Sequence, residues 1–465
     1  MSSRPDRRAD DLPARYGSRF FVEGVPTDEF PDDGMSARDA YELISEEVAL
    51  DGDPARNLAT FVTTWMEPEA QQVIAENLHR NFIDHAEYPR TAEIEKRCIK
   101  MLGDLYNATG EVAGARCQGS SEAVMLGGLA AKWRWRKVRK AAGEDSSNPN
   151  LVFGRDAHVV WDKFCRYFDV EPRVIPMSSG QYVVRGEDVA EHVDENTIGV
   201  VAILGTTYTG ESDDVTGIAS ALDAIADRQG IDVPIHVDAA SGGFVWPFLH
   251  PEERWDFRLD RVASINVSGH KFGMVYPGIG WLVFRDPDQL PGELVFEENY
   301  LGETDSTFTL NFSTGSSMML AQYYNFCRFG RDGYRQIMGA MEQNADFLRS
   351  DIFNCERFEP VGSQQSDGRR LPIATFRLSG ADELAYDEFD VAAQIQGARG
   401  WMVPAYSLPE NAQNETIMRA LVKENVSHSG ARTLVDDLVH ACARLDENGG
   451  LHRAERRRAH SGHGY

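Results

Sequence analysis

The rhythm of apolar and polar positions changes along the chain and divides it into regions. Up to about residue 55 the sequence is polar, with a Pro- and Asp-rich stretch from Val25 to Gly34 and one helical periodicity from Ser36 to Leu50. From Asn150 to Asp286 short apolar runs recur: Leu151–Phe153, Arg173–Pro176, Ile198–Leu204, Ile235–Asp238, Val262–Val267 and Gly280–Phe284. Helical stretches such as Gly217–Arg228 separate several of them. This alternation predicts an α/β fold on a mostly parallel sheet with helices on both faces. Ligands of such a sheet sit at the carboxyl ends of its strands. A long helical segment, Ser316–Ser350, then leads into short strands (Leu371–Leu378, Trp401–Ser407, Thr416–Val422) that alternate with helices (Phe389–Arg399, Thr433–Leu445). The expected organisation is an N-terminal arm over 1–55, a large domain over 56–340, a small C-terminal α+β domain over 341–450 and a flexible tail over 451–465.

Composition narrows the function. With 465 residues the chain is long enough for a large core. A net charge of −26 repels phosphate backbones, which argues against a nucleic-acid partner. Lysine supplies only 8 of the 47 basic residues; a salt-rich cytosol and an Arg-biased genome explain that equally well. Six cysteines lie far apart with no CxxC pair, so neither a zinc site nor a disulfide framework is indicated and a reducing cytoplasm is the expected location. No apolar stretch follows the arginines of Met1–Asp11, so a secretory signal is not expected. The clearest apolar run, Ile198–Gly205, is too short to span a bilayer.

Three motifs carry candidate chemistry. In Ser264–Phe272 (SINVSGHKF) a strand of apolar and small residues ends in Ser-Gly-His-Lys, which sets Lys271 at the sheet's carboxyl edge. Partial burial there lowers an amine's pKa towards its nucleophilic form; a solvated strand-end lysine is the plainer reading. In His236–Phe244 (HVDAASGGF) Asp238 ends an apolar strand, and the small residues after it leave room for a flat ligand. A buried carboxylate needs a partner, which a ring nitrogen held as its cation would provide, although aspartates also cap turns. Gln118–Ala123 (QGSSEA) opens a long helix with small residues and two hydroxyls, which favours a phosphate, with simple N-capping as the alternative. Together the three form the parts list of a pyridoxal-phosphate enzyme: a phosphate cradle, an aspartate for the pyridine nitrogen and a Schiff-base lysine.

On these motifs the chain resembles the glutamate decarboxylases of the group II pyridoxal-phosphate-dependent decarboxylase family. The resemblance runs from about Pro26 to Arg419. It is most specific at NLATFVTTW (Asn57–Trp65), NFIDHAEYP (Asn81–Pro89), GSSEAVMLGG (Gly119–Gly128), WDKFCRYFDVE (Trp161–Glu171), TYTG (Thr207–Gly210) and SGHKFG (Ser268–Gly273). It implies a fold-type I architecture, like that of aspartate aminotransferase, with pyridoxal 5'-phosphate bound in the large domain. It also implies decarboxylation of L-glutamate to 4-aminobutanoate and carbon dioxide, and a homodimer at least, with shared active sites and a homohexamer as the larger alternative. A decarboxylase acting on aspartate or an aromatic amino acid is the alternative reading. A non-catalytic protein on the same fold is the third.

The resemblance also implies roles. Lys271 joins the cofactor, Asp238 pairs with its ring nitrogen, Ser120, Ser121 and His270 hold its phosphate, with Ser313 reaching in from a neighbouring subunit, and Ser268 also binds the cofactor. Thr207 contacts the cofactor's hydroxyl side and Ala240 packs on one ring face. Thr60, Phe61, Asn81 and Asp84 form the pocket for the substrate's distal carboxylate, partly from the other subunit, and Arg419 clamps the α-carboxylate. Tyr300 protonates the substrate carbon. One departure stands out: His158 takes the ring-stacking position that glutamate decarboxylases give to glutamine. A proton shared between Asp84 and the substrate would give an acidic optimum. His460 and His463 in the tail are candidates for a second pH gate, with a disordered polar end as the alternative.

Overall fold

A computed structural model of the chain describes residues 27–32, 34–298, 305–362 and 369–448. It forms two compact units, Met1–Arg56 and Asn57–Tyr465. In the first, the expected helix runs from Ala37 to Val48, capped by the Ser36 side chain, which accepts a hydrogen bond from the Asp39 N–H at 3.1 Å.

The second unit is built on a seven-stranded sheet. Its strands are β1 (Ala113–Cys117), β2 (Asn150–Gly154), β3 (Glu171–Ile175), β4 (Thr197–Ile203), β5 (Ile235–Asp238), β6 (Val262–Ser268) and β7 (Gly280–Phe284). They lie in the order β1-β7-β6-β5-β4-β2-β3. The pairs from β6 to β3 are parallel, while β7 pairs antiparallel with both β6 and β1. The α/β, mostly parallel architecture is therefore as expected. Side chains alternate between two faces, as strand geometry requires. Val152, Val200, Ala202 and Val237 join the main core, whereas Leu151, Phe153, Val201 and Ile203 join a second one with Trp161 and Phe164. Burial on both faces makes these strands continuous apolar runs.

A second sheet is wholly antiparallel. After a ribbon of β8 (Phe296–Glu298) and β9 (Asp305–Thr307), strands β10 (Phe358–Pro360), β11 (Ile373–Leu378), β12 (Ala405–Ser407) and β13 (Thr416–Leu421) pair in the order β10-β11-β13-β12. The expected strand Trp401–Ser407 shrinks to three residues, because Pro404 has no N–H to give a ladder. The expected helix Ser316–Ser350 becomes a helical path from Ser317 to Asn354 that breaks at Gly330 (φ 56°, ψ −170°). This lies outside the helical region and is open to glycine.

Candidate active site

Strand ends and one helix start surround a cavity of about 500 Å³, within the usual range for a small-molecule site. Ser120, Ser121, His158, Thr207, Asp238, Ala240, Ser268, His270 and Lys271 all line it. The parallel strands β4, β5 and β6 end here together, so residues distant in sequence meet at one sheet edge.

At one end, Ser120 opens the helix Ser120–Ala142 and its hydroxyl accepts a hydrogen bond from the Ser268 hydroxyl at 2.8 Å. Glycines allow the crowding. A Cβ on Gly280 would lie 2.4 Å from the Gly119 carbonyl carbon, and one on Gly119 would lie 3.0 Å from the His270 ring. His270 Nδ1 sits 2.8 Å from the Ile279 carbonyl, to which it donates, so Nε2 is left for a ligand. Burial and the neighbouring Lys271 cation push the His270 pKa down.

At the other end, Asp238 is 5% exposed. Its Oδ2 accepts from the Trp161 indole at 2.8 Å; its Oδ1 accepts from Asn266 Nδ2 at 2.9 Å and the Ala240 N–H at 3.1 Å. Three donors on a group with about four acceptor positions leave room for one more N–H. Asn266 is itself oriented by His236, whose Nε2 lies 2.7 Å from Asn266 Oδ1 and whose Nδ1 lies 2.7 Å from the Ser264 hydroxyl. Burial lowers the His236 pKa, which favours the neutral ring. Sequence reasoning assigned no role to Trp161, His236, Ser264 or Asn266. A signal was present: alternation places Ser264, Asn266 and Ser268 on one face of β6, beside His236 and Asp238 on the same face of β5.

Lys271 extends between these ends, donating to the Ser241 hydroxyl at 3.2 Å and lying 5.3 Å over the Phe61 ring. Burial, reinforced by Arg419 and opposed by Asp238, pushes its pKa down to about 8. Phe61 also carries the Arg419 guanidinium, 5.0 Å from its centroid. Arg419 projects from β13 and donates to the Thr207 and Ala59 carbonyls, while its buried Nε–H has no partner among the described residues. The Thr60 hydroxyl accepts from the Val62 N–H at 3.2 Å.

Asn81, Asp84 and Ser313 are not among the residues lining this cavity. Asn81 Nδ2 reaches the Ser313 hydroxyl at 3.4 Å, its Oδ1 accepts from the Thr314 N–H at 3.2 Å, and the Asp84 N–H donates to the Asn81 carbonyl at 3.3 Å. His158 lines the cavity and is exposed, with its Nδ1 accepting from the Val160 N–H at 3.2 Å. Desolvation and Lys271 lower its pKa. Tyr300, His460 and His463 lie outside the described residues.

A model described as the pyridoxal-dependent decarboxylase conserved domain matches residues 31–378. The chain belongs to the pyridoxal-dependent decarboxylase family. Among curated relatives, glutamate decarboxylase 1 of Arabidopsis thaliana is 44% identical over 436 residues, 93% of this chain and 86% of that protein. The glutamate decarboxylase of Aliivibrio fischeri is 42% identical over 93% of both. Among solved structures, a Lactobacillus brevis glutamate decarboxylase matches with a TM-score of 0.89 at 39% identity, covering 94% of this chain and 99% of that one. A Burkholderia pseudomallei sphingosine-1-phosphate lyase, at 21% identity and a TM-score of 0.77, shares the fold.

The pyridoxal phosphate of this decarboxylase family fits the cavity: the glycine-cradled helix start could receive a phosphate, and Asp238 retains one free acceptor position for a ring N–H. The depressed Lys271 pKa gives a testable sign. At pH 7 roughly one molecule in ten carries the neutral amine if the pKa is about 8, against about one in 2,500 for an ordinary lysine. Modification of the cofactor-free protein by pyridoxal phosphate, trapped with borohydride and mapped to Lys271, should quicken about tenfold per pH unit up to pH ~8 and then level off. A rate still climbing at that slope to pH ~10 would mean an ordinary lysine.

Proposed function

We propose that the protein decarboxylates L-glutamate to 4-aminobutanoate and carbon dioxide. The observation that carries this reading is the presence of Lys271, Asp238 and the helix start at Ser120 around one cavity, in a chain 42–44% identical to glutamate decarboxylases over nearly its whole length. Pyridoxal phosphate, when bound, supplies an electron sink for the pair left by the departing carboxylate.

The chain's own residues bind, orient and move protons. Ser120, Ser121, Ser268 and the first-turn N–H groups hold the phosphate, with a helix terminus favouring the anion. His270, with Nε2 left free by the Nδ1 bond to Ile279, would add a contact to the same group, and a bound phosphate would oppose the lowering of its pKa. Asp238 holds a proton on the ring nitrogen. Ala240 and His158 would pack against the ring, and Thr207 would contact its hydroxyl side. Arg419 offers its unpartnered Nε–H to the α-carboxylate, and fixing both ends of the substrate selects which bond at the α carbon breaks. Tyr300, on the connection between β8 and β9, returns a proton to that carbon.

The distal pocket is proposed to form between two copies. Thr60 and Phe61 come from the chain that holds the cavity, whereas Asn81, Asp84 and Ser313 come from the other. The absence of that second cluster from the cavity lining, and exposed Leu310 and Phe312 near Ser313 in sequence, support the arrangement. We place the protein in a reducing cytoplasm, in keeping with its six free thiols; no helix among the described residues is long and apolar enough to cross a membrane.

His158 favours a second reading, a decarboxylase for aspartate or an aromatic amino acid. The test is carbon dioxide release and product identification over a panel of amino acids, with the absorbance spectrum recorded alongside. Glutamate should give 4-aminobutanoate and carbon dioxide in equal amounts. Turnover of aromatic amino acids alone would replace glutamate as the substrate. The absence of a visible cofactor band would sink both readings.

A further inference from the structure

A carboxyl in the cavity wall is unused by the reading above. Asp156, in the loop after β2, lines the cavity and is 2% exposed, yet its carboxyl oxygens meet only the residue's own N–H and the Asp213 carboxyl, with no well-formed hydrogen bond to any other described group. The site is built around it. A Cβ on Gly154 would lie 2.2 Å from Asp156 Oδ1, and the Thr206 hydroxyl donates to the Asp156 carbonyl at 2.9 Å.

The neighbouring carboxyl is Asp213, 4% exposed, whose two oxygens accept from the Val184 and Ile203 N–H groups at 2.7 Å each. Both acids are buried, and Asp238 adds a nearby negative charge. Two adjacent buried carboxylates do not both ionise. Asp213 has two well-formed backbone donors, whereas Asp156 has only its own N–H, so the proton belongs on Asp156, where it is shared with Asp213. Burial and the adjoining acid push Asp156 well above the usual carboxylate range, and burial brings Asp213 to about 7. The other ionisable groups around the pair are Tyr208 after β4, Arg155 and His158 on the Asp156 loop, Asp188 beside Asp213, and Glu122 and Lys271 across the cavity.

We propose that Asp156 is a further positioning residue for the cofactor: a neutral acid hydrogen-bonded to Asp213, it closes the wall beside Asp238 without a second charge, so that Asp238 alone answers the ring nitrogen. The proposal rests on the cofactor reading of the cavity. It also sets a sign. A carboxyl raised in the folded state contributes stability that is full below the unfolded pKa of about 3.9 and is lost as pH rises through the folded value.

Thermal unfolding of cofactor-free wild type and Asp156→Asn between pH 5 and 8 reads the proton directly. The variant should gain on wild type as pH rises, by a slope difference of up to one proton. Parallel curves would overturn the shared proton. Titration with pyridoxal phosphate, followed by absorbance, reads the positioning. Asp156→Asn, which can still donate to Asp213, should bind within about threefold of wild type, and Asp156→Ala about tenfold or more weaker, the scale of one lost hydrogen bond. Equal binding by all three proteins would overturn the positioning role while leaving the cofactor reading intact. If wild type takes up no pyridoxal phosphate, the cofactor reading itself has failed, and this inference with it.

Discussion

Lys271→Ala is expected to lower turnover by on the order of 10³-fold or more, at the upper end of the effects of removing a positioned reactive group. The reason is the scarcity of amines at the cavity. Of the chain's 8 lysines, only Lys271 is among the residues lining it. Lys132 is spent on the Phe168 carbonyl and Lys423 on the Val62 carbonyl at 3.0 Å, so neither can replace it. Ser120, Ser121 and Ser268, the proposed phosphate ligands, would be untouched by the change. The variant should therefore retain pyridoxal phosphate, with the absorbance of the free aldehyde in place of that of the lysine-bound form. Borohydride followed by peptide mapping should find no label in the stretch from Ser268 to Gly273. Activity above a few per cent of wild type, or label on another lysine, would show that the reactive amine lies elsewhere.

What the sequence revealed follows from which features are local. The parallel strands were legible because both of their faces are covered, which makes Ile198–Leu204 or Ile235–Asp238 a nearly unbroken apolar run. Strand β1 was not, since Ala113–Cys117 mixes small residues with Arg116, and only its pairing with β7 makes it a strand. Lys271, Asp238 and Ser120 were legible as motifs because each sits where a regular element ends, and end positions carry recognisable small residues. Their meeting in one cavity follows from the parallel order of β4, β5 and β6, which no single motif encodes. The supporting groups were harder to see. His236 and Asn266 look like isolated polar residues in apolar strands until adjacent strands put them side by side. Asp156 looks like a solvated loop acid until Asp213, which follows β4, is found beside it. The proposed distal pocket rests on resemblance alone, because Asn81, Asp84 and Ser313 are not among the residues lining the cavity.

Asp238→Asn is expected to reduce turnover by at least ~10²-fold, or about 2.7 kcal/mol of transition-state stabilisation. Two effects act together. An asparagine cannot hold a proton on the ring nitrogen, and an unprotonated ring accepts the electron pair of the breaking bond poorly. The substitution also disturbs a wall built for an anion. Asp238 receives N–H donors on both oxygens, from Trp161 on one and from Asn266 and Ala240 on the other. An asparagine has only one acceptor oxygen, so its amide must point at a donor. If the oxygen keeps Asn266 and Ala240, the buried Trp161 indole N–H loses its acceptor, at a cost of about 1–3 kcal/mol. If it keeps Trp161 instead, Asn266 must flip and break its bond with His236. Either way the cofactor-free variant should melt below wild type, so the stability loss and the rate loss are separable: the first is seen without cofactor, the second at saturating pyridoxal phosphate. The discriminating measurement is kcat for carbon dioxide release under saturation, beside the absorbance of the bound cofactor. Near-normal kcat with a lowered melting temperature would leave Asp238 a structural residue of the wall, and the electron-sink role would pass to some other group.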